Sequence, residues 1–122
     1  MKYMILLFGD TNTMLETKSP EWIKNMIEFM GQIDQELRDK GEQVAGEGLV
    51  DPSEATTVRF QNGAPVPTDG PFAEAKESLA GYWVIEASEE RALEIASRIV
   101  AFTEEPVEVR RVADEPPDVS QL

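Results

Sequence analysis

Two segments, Lys2–Phe8 and Leu79–Ala87, carry large apolar side chains on both of their alternating sets, and this constrains the fold more than any other feature. In the second, Leu79, Trp83 and Ile85 alternate with Ala80, Tyr82 and Val84. In the first, Met4, Leu6 and Phe8 alternate with Tyr3, Ile5 and Leu7. A strand of this kind asks for cover on both faces of its sheet. The remaining chain supplies few helices to provide it. Ser19-Pro20-Glu21 is an N-cap, a proline at the first helical position and an acid in the first turn. Trp22, Ile23, Met26, Ile27, Met30, Ile33 and Leu37 follow at helical spacing, with Gly41 as the stop. Ser88-Glu89-Glu90 opens a second helix with Ala92, Ile95, Ala96, Ile99 and Phe102 on one stripe.

The other segments read as strands. Glu42–Leu49 is diluted by Gly46 and Gly48 and ends at Asp51-Pro52. Thr56–Phe60 leads into Asn62-Gly63, a type I′ hairpin pair, and a short arm at Ala64–Val66 that Pro65 and Pro67 confine to an edge. Phe72–Ser78 reads as a loop with a helical turn. Val107–Val112 alternates as a last strand, and 113–122 reads as a loose acidic tail with Pro116-Pro117. The order strand, helix, strand, hairpin, strand, helix, strand predicts an α+β domain over 1–112, an antiparallel sheet with two helices on one face. The other face would stay bare and apolar. Pairing with a second copy across it is the expected remedy, so a homodimer is expected.

Composition narrows the chemistry. The chain has 122 residues, no His and no Cys, which excludes a thiol nucleophile, an imidazole base, a Cys/His metal site and disulfides. Its net charge is −13, with −5 in residues 1–61 and −8 in 62–122, so the acidity is spread along the chain. Nucleic acid is a poor partner for such a surface. The longest apolar run, Met4–Phe8, is too short to cross a bilayer. A cytoplasmic protein is the expectation.

Carboxylates, Lys, Tyr, hydroxyls and backbone groups remain. Asp69 is the candidate general base, if a cleft desolvates it, but Asp69-Gly70-Pro71 is turn chemistry first, with the carboxylate capping the N–H groups that follow while Gly70 takes a positive φ and Pro71 fixes the next residue, and the two roles can coexist. Lys76, near Glu74 and Glu77, is a candidate proton donor or anion anchor, and otherwise part of a solvated charged face. Gly70, Pro71, Phe72, Glu74, Tyr82 and Arg59 are candidate ligand contacts, Arg59 as a bidentate carboxylate anchor. Tyr82 and Trp83 point to opposite sides of their strand. Glu28, Asp34, Glu36 and Asp39 read as the wet face of the long helix, and no metal or cofactor site is expected.

The fourteen-residue stretch Asp69-Gly70-Pro71-Phe72-Ala73-Glu74-Ala75-Lys76-Glu77-Ser78-Leu79-Ala80-Gly81-Tyr82 resembles the segment that names the DGPF group within the YCII-related proteins. Met1-Lys2-Tyr3-Met4, Leu49-Val50-Asp51-Pro52 leading into Ala55-Thr56-Thr57-Val58-Arg59, and Val107-Glu108-Val109-Arg110 extend the resemblance to about residues 1–112. It implies a ferredoxin-like fold assembled as a dimeric α+β barrel in a small bacterial protein. Better-known YCII proteins carry a His and Asp pair thought to be catalytic. This chain lacks the His, and Asp69 alone matches the acidic partner. Two functions follow. One is a lyase- or isomerase-like enzyme using carboxylate acid/base chemistry in a cavity beside the Asp69 loop. The other is a non-catalytic ligand-binding or regulatory dimer, accessory to the extracytoplasmic-function sigma factors beside which some relatives are encoded.

Overall fold

The computed structural model describes residues 1–71 and 78–121. The elements run β1 (Lys2–Phe8), α1 (Thr11–Thr17), α2 (Pro20–Asp39), β2 (Gln43–Gly48), a 3₁₀ turn at Pro52–Glu54, β3 (Thr56–Gln61), β4 (Ala64–Asp69), β5 (Leu79–Glu86), α3 (Glu89–Thr103) and β6 (Val107–Arg111). β2, β5, β1 and β6 form one antiparallel sheet in that order, and β3 pairs with β4 as a separate two-stranded hairpin. Among the described residues no helix is long and apolar enough to cross a membrane. The α+β class and antiparallel sheet agree with the sequence reading and with a ferredoxin-like arrangement.

Local chemistry sets the ends of the helices. Ser19 Oγ accepts the Trp22 N–H at 3.1 Å and Pro20 occupies the first turn of α2. At its other end Gly41 takes φ 68°, while the Glu42 N–H bonds Leu37 O and the Gly41 N–H bonds Arg38 O. That is a Schellman closure, which glycine adopts without steric cost. Ser88 Oγ caps α3 through the Arg91 N–H at 3.1 Å.

One helix was not expected. α1 has no apolar stripe to announce it, since its sequence is TNTMLET with no buried residue. It forms because Asp10 accepts the N–H groups of Asn12 and Thr13, and Asp51 accepts the Asn12 N–H and its Nδ2 amide, each at 3.2 Å. The described residues therefore form three α-helices where two were expected. The arm after Asn62-Gly63 also runs further, to Asp69, with φ 52° and 79° at the turn pair.

The core lies between the sheet and α2 and α3. Tyr3, Ile5, Trp83 and Ile85 from the strands meet Ile33 and Leu37 of α2 and Ala92, Ile95 and Ile99 of α3, all buried. Strand alternation sends Met4, Leu6, Tyr82 and Val84 to the opposite face, where they are only half buried, and a register shift between Leu7 and Phe8 breaks the alternation at the end of β1. The stripe read along α2 divides. Its C-terminal half enters the core, Ile27 is 62 % exposed, and Trp22, Met26 and Met30 face a groove instead.

The two helices are also joined by charge. Arg91 of α3 donates to Glu36 at 2.8 Å and to Glu42 at 3.0 Å, and Arg98 donates to both oxygens of Glu36 at 2.9 and 3.2 Å. These pairs fix α3 against α2 at its half-buried edge. Glu36 and Asp34 do not lie on a wet face: each has partners in other elements.

Candidate functional site

A groove of about 950 Å³ lies between α2, the short α1 and the β1, β2 and β5 strands near the approach to β6. One wall repeats every fourth residue: Lys18, Trp22, Met26, Met30, Asp34 and Arg38. A helix rises about 1.5 Å per residue, so the stripe from Trp22 to Arg38 is roughly 24 Å long. The middle is apolar and the two ends are polar. Lys18 Nζ sits 4.8 Å from the centroid of the Trp22 ring, and Trp22 packs on Phe102, which stacks on Phe29. These aromatic contacts fix one end of the groove.

The other end is built around Asp34. Trp83 Nε1–H donates to Asp34 Oδ1 at 2.9 Å, and Arg38 Nε–H donates to Oδ2 at 2.7 Å. Room for this arrangement comes from β2, where Gly46 lies opposite Trp83. A Cβ at position 46 would stand 2.4 Å from Trp83 Cδ1, so any larger residue would force the indole aside. The indole bond, aided by the Arg38 guanidinium, holds the Asp34 carboxyl below the ordinary carboxylate range, against the opposing effect of burial. A carboxylate with both oxygens engaged is a hydrogen-bond acceptor and a weak base.

Of the residues singled out from sequence, Tyr82 falls in the groove wall. Asp69 ends β4 opposite Thr56 and is exposed, and among the described residues it does not belong to the wall. Its neighbour Gly70, at φ 99°, donates its N–H to Ala55 O at 2.8 Å and accepts Thr57 Oγ1 at 2.8 Å. Those bonds anchor the turn at the base of the hairpin. Pro71 follows it half buried, and Arg59 is exposed in β3 opposite Val66. Phe72, Glu74 and Lys76 lie outside the described residues. Ser78, beyond them, accepts the Gly9 N–H at 2.9 Å beside the groove. No cluster of acidic residues suited to a metal ion occurs among the described residues.

Asp34, Arg38, Trp22 and Met26 were not singled out as site residues. Their signal was available as an i, i+4 ladder that mixes apolar and charged residues along one line of α2.

The YCII-related domain model matches residues 1–116. The chain belongs to the YCII-related family. An uncharacterised protein of Rhizobium meliloti (strain 1021) is 30 % identical over 97 residues, which cover 79 % of this chain and 77 % of that protein. The match takes in the sheet, the helices and the hairpin described for this YCII-related chain, so the groove lies inside the family domain.

Proposed function

We propose that this YCII-related protein is a homodimer that binds a small organic molecule in the groove along α2, and that it binds without turning the molecule over. The state of Asp34 carries this reading. It is the wall acid built into the groove's end, and an indole N–H and a guanidinium occupy its oxygens, leaving little basicity for proton abstraction. The chain offers no His or Cys to substitute for it. A largely apolar lining with polar ends and a volume of about 950 Å³ suits ligand burial.

Support for the dimer comes from the sheet face turned away from α2 and α3, where Met4, Leu6 and Val84 are only half buried, and from the hairpin, where Val58 is 64 % and Phe60 77 % exposed. A two-fold copy would cover both sets in one interface. Any regulatory role beside a sigma factor would run through such a dimer and a protein partner, because a net charge of −13 opposes contact with DNA.

Both parts are open to test. Sedimentation velocity at micromolar concentration is expected to give a dimer, and Val84→Glu a monomer. A monomeric wild-type chain refutes the assembly. Titration with the neutral apolar dye Nile red is expected to give saturable binding that Met26→Glu weakens at least tenfold; saturable binding indifferent to Met26→Glu refutes the assignment of the groove.

A further inference from the structure

We propose, resting on the binding reading above, that the ligand class of the groove is an extended amphipathic monocarboxylate. Its head sits on the outer N–H groups of Arg38 and its alkyl or aryl body lies along Met30, Met26 and Trp22. Arg38 gives only its Nε–H to Asp34, and the rest of the fork has no protein partner among the described residues. Asp34 is in turn fixed by Trp83, so the guanidinium is pre-oriented at the groove's end, the condition under which its planar donors recognise a carboxylate. Behind this head group the wall is thioether and indole, and thioethers adapt to a flexible apolar body.

Charge restricts the head to a single negative unit. Two wall acids are already committed, Asp34 to Trp83 and Arg38 and Asp10 to the first turn of α1. Glu47 and Glu105 remain, and with the net charge of −13 they disfavour a polyanion.

Gly31 supplies an independent observation. It lies in the interior of a twenty-residue helix, where glycine is the poorest residue apart from proline, and it forms part of the groove wall. A Cβ there would meet nothing within 4 Å. Packing therefore does not demand glycine at this position. A larger side chain there would stand in open space at the groove wall.

The test uses the full chain and its intrinsic fluorescence, since both of its tryptophans, Trp22 and Trp83, stand in the groove wall. Decanoate, decanol and decyltrimethylammonium are titrated in parallel. From a head held at the Asp34–Arg38 end, a ten-carbon body about 12 Å long reaches along Met30 to Met26, about half of the stripe. Decanoate is expected to bind at least tenfold tighter than decanol, and Arg38→Gln to abolish that difference while leaving decanol unchanged. Gly31→Leu is expected to weaken decanoate and decanol at least tenfold with an unchanged or higher Tm. Decanol binding as tightly as decanoate, the ammonium binding tightest, or a preference that survives Arg38→Gln would overturn the ligand class while leaving the binding reading intact. Unaltered binding in Gly31→Leu overturns the role of Gly31. If none of the three probes perturbs the fluorescence up to millimolar concentration, the binding reading fails with it.

Discussion

Replacing Glu36 by Gln tests the charge network that holds α3 to α2. Arg98 and then Arg91, the two guanidinium partners, lower the Glu36 carboxyl from its ordinary value of 4.5 to about 2. Taken whole, that difference corresponds to about 3 kcal/mol of stability at neutral pH. The side chain keeps 30 % of its exposure, so solvent screening reduces the expected contribution to about 2 kcal/mol. The sign follows from the lowered folded-state value. Stability is complete above pH 4.5 and is lost as pH falls toward 2, as the unfolded chain takes up the proton first. Glutamine retains the shape and one acceptor but not the charge. Arg91 keeps Glu42 and Glu94, whereas Arg98 loses its one anionic partner among the described residues. Urea unfolding of wild type and Glu36→Gln at pH 7 is expected to differ by about 2 kcal/mol, and the gap to shrink to less than half by about pH 3. A gap that stays constant across that range would show that shape and packing, not charge, hold the helices together.

Other perturbations address the groove and the turns. Gly46→Ala is expected to push the Trp83 indole off Asp34, lowering stability by about 1–3 kcal/mol and shifting Trp83 emission to the red; an unchanged spectrum in a Trp22→Phe background would refute the packing argument. Trp83→Phe removes the largest influence on Asp34, so the Asp34 carboxyl is expected to titrate at higher pH, read by carboxyl-resolved NMR, and no movement would refute the indole's role. Ser88→Ala should cost about 1 kcal/mol in thermal or urea unfolding through the lost cap of α3, and a neutral result would mean that the α3 N-terminus is held by packing alone.

Much of the fold was legible because its signals are local. Ser19-Pro20, Gly41, Asn62-Gly63 and Ser88 each specify a backbone geometry within a few residues, and each marks an element's end or a turn. α1 was not legible, because it has no apolar stripe of its own and, beside its local cap Asp10, it is tied through Asn12 to Asp51, 39 residues away. The candidate site was harder still. An acid on a long helix reads as solvated until the strand that crosses it is known, and Asp34 meets Trp83 only because the sheet order puts β5 under α2. Asp69 drew attention as a carboxylate in a marked motif, but its surroundings are those of a hairpin base, with Gly70 tied to Ala55 and Thr57.

The groove end can be traced to the side chain missing at Gly46. On β2 that absence weakens the strand, yet it lets the Trp83 indole lie across the strand and turn its N–H toward α2. The N–H holds Asp34, and Asp34 holds Arg38 by one nitrogen, leaving the rest of the guanidinium aimed by a rigid support. Each link restricts the next, so a single Cβ at position 46 would loosen a charged group two contacts away. Preorganisation of this kind would lower the entropy lost when the proposed ligand binds, and would give an exposed arginine a selectivity that exposure alone would deny it. The same chain explains why α2 carries two kinds of cargo on neighbouring turns: Ile33 and Leu37 secure the helix to the core, and Met30, Asp34 and Arg38 face the groove from the support they provide.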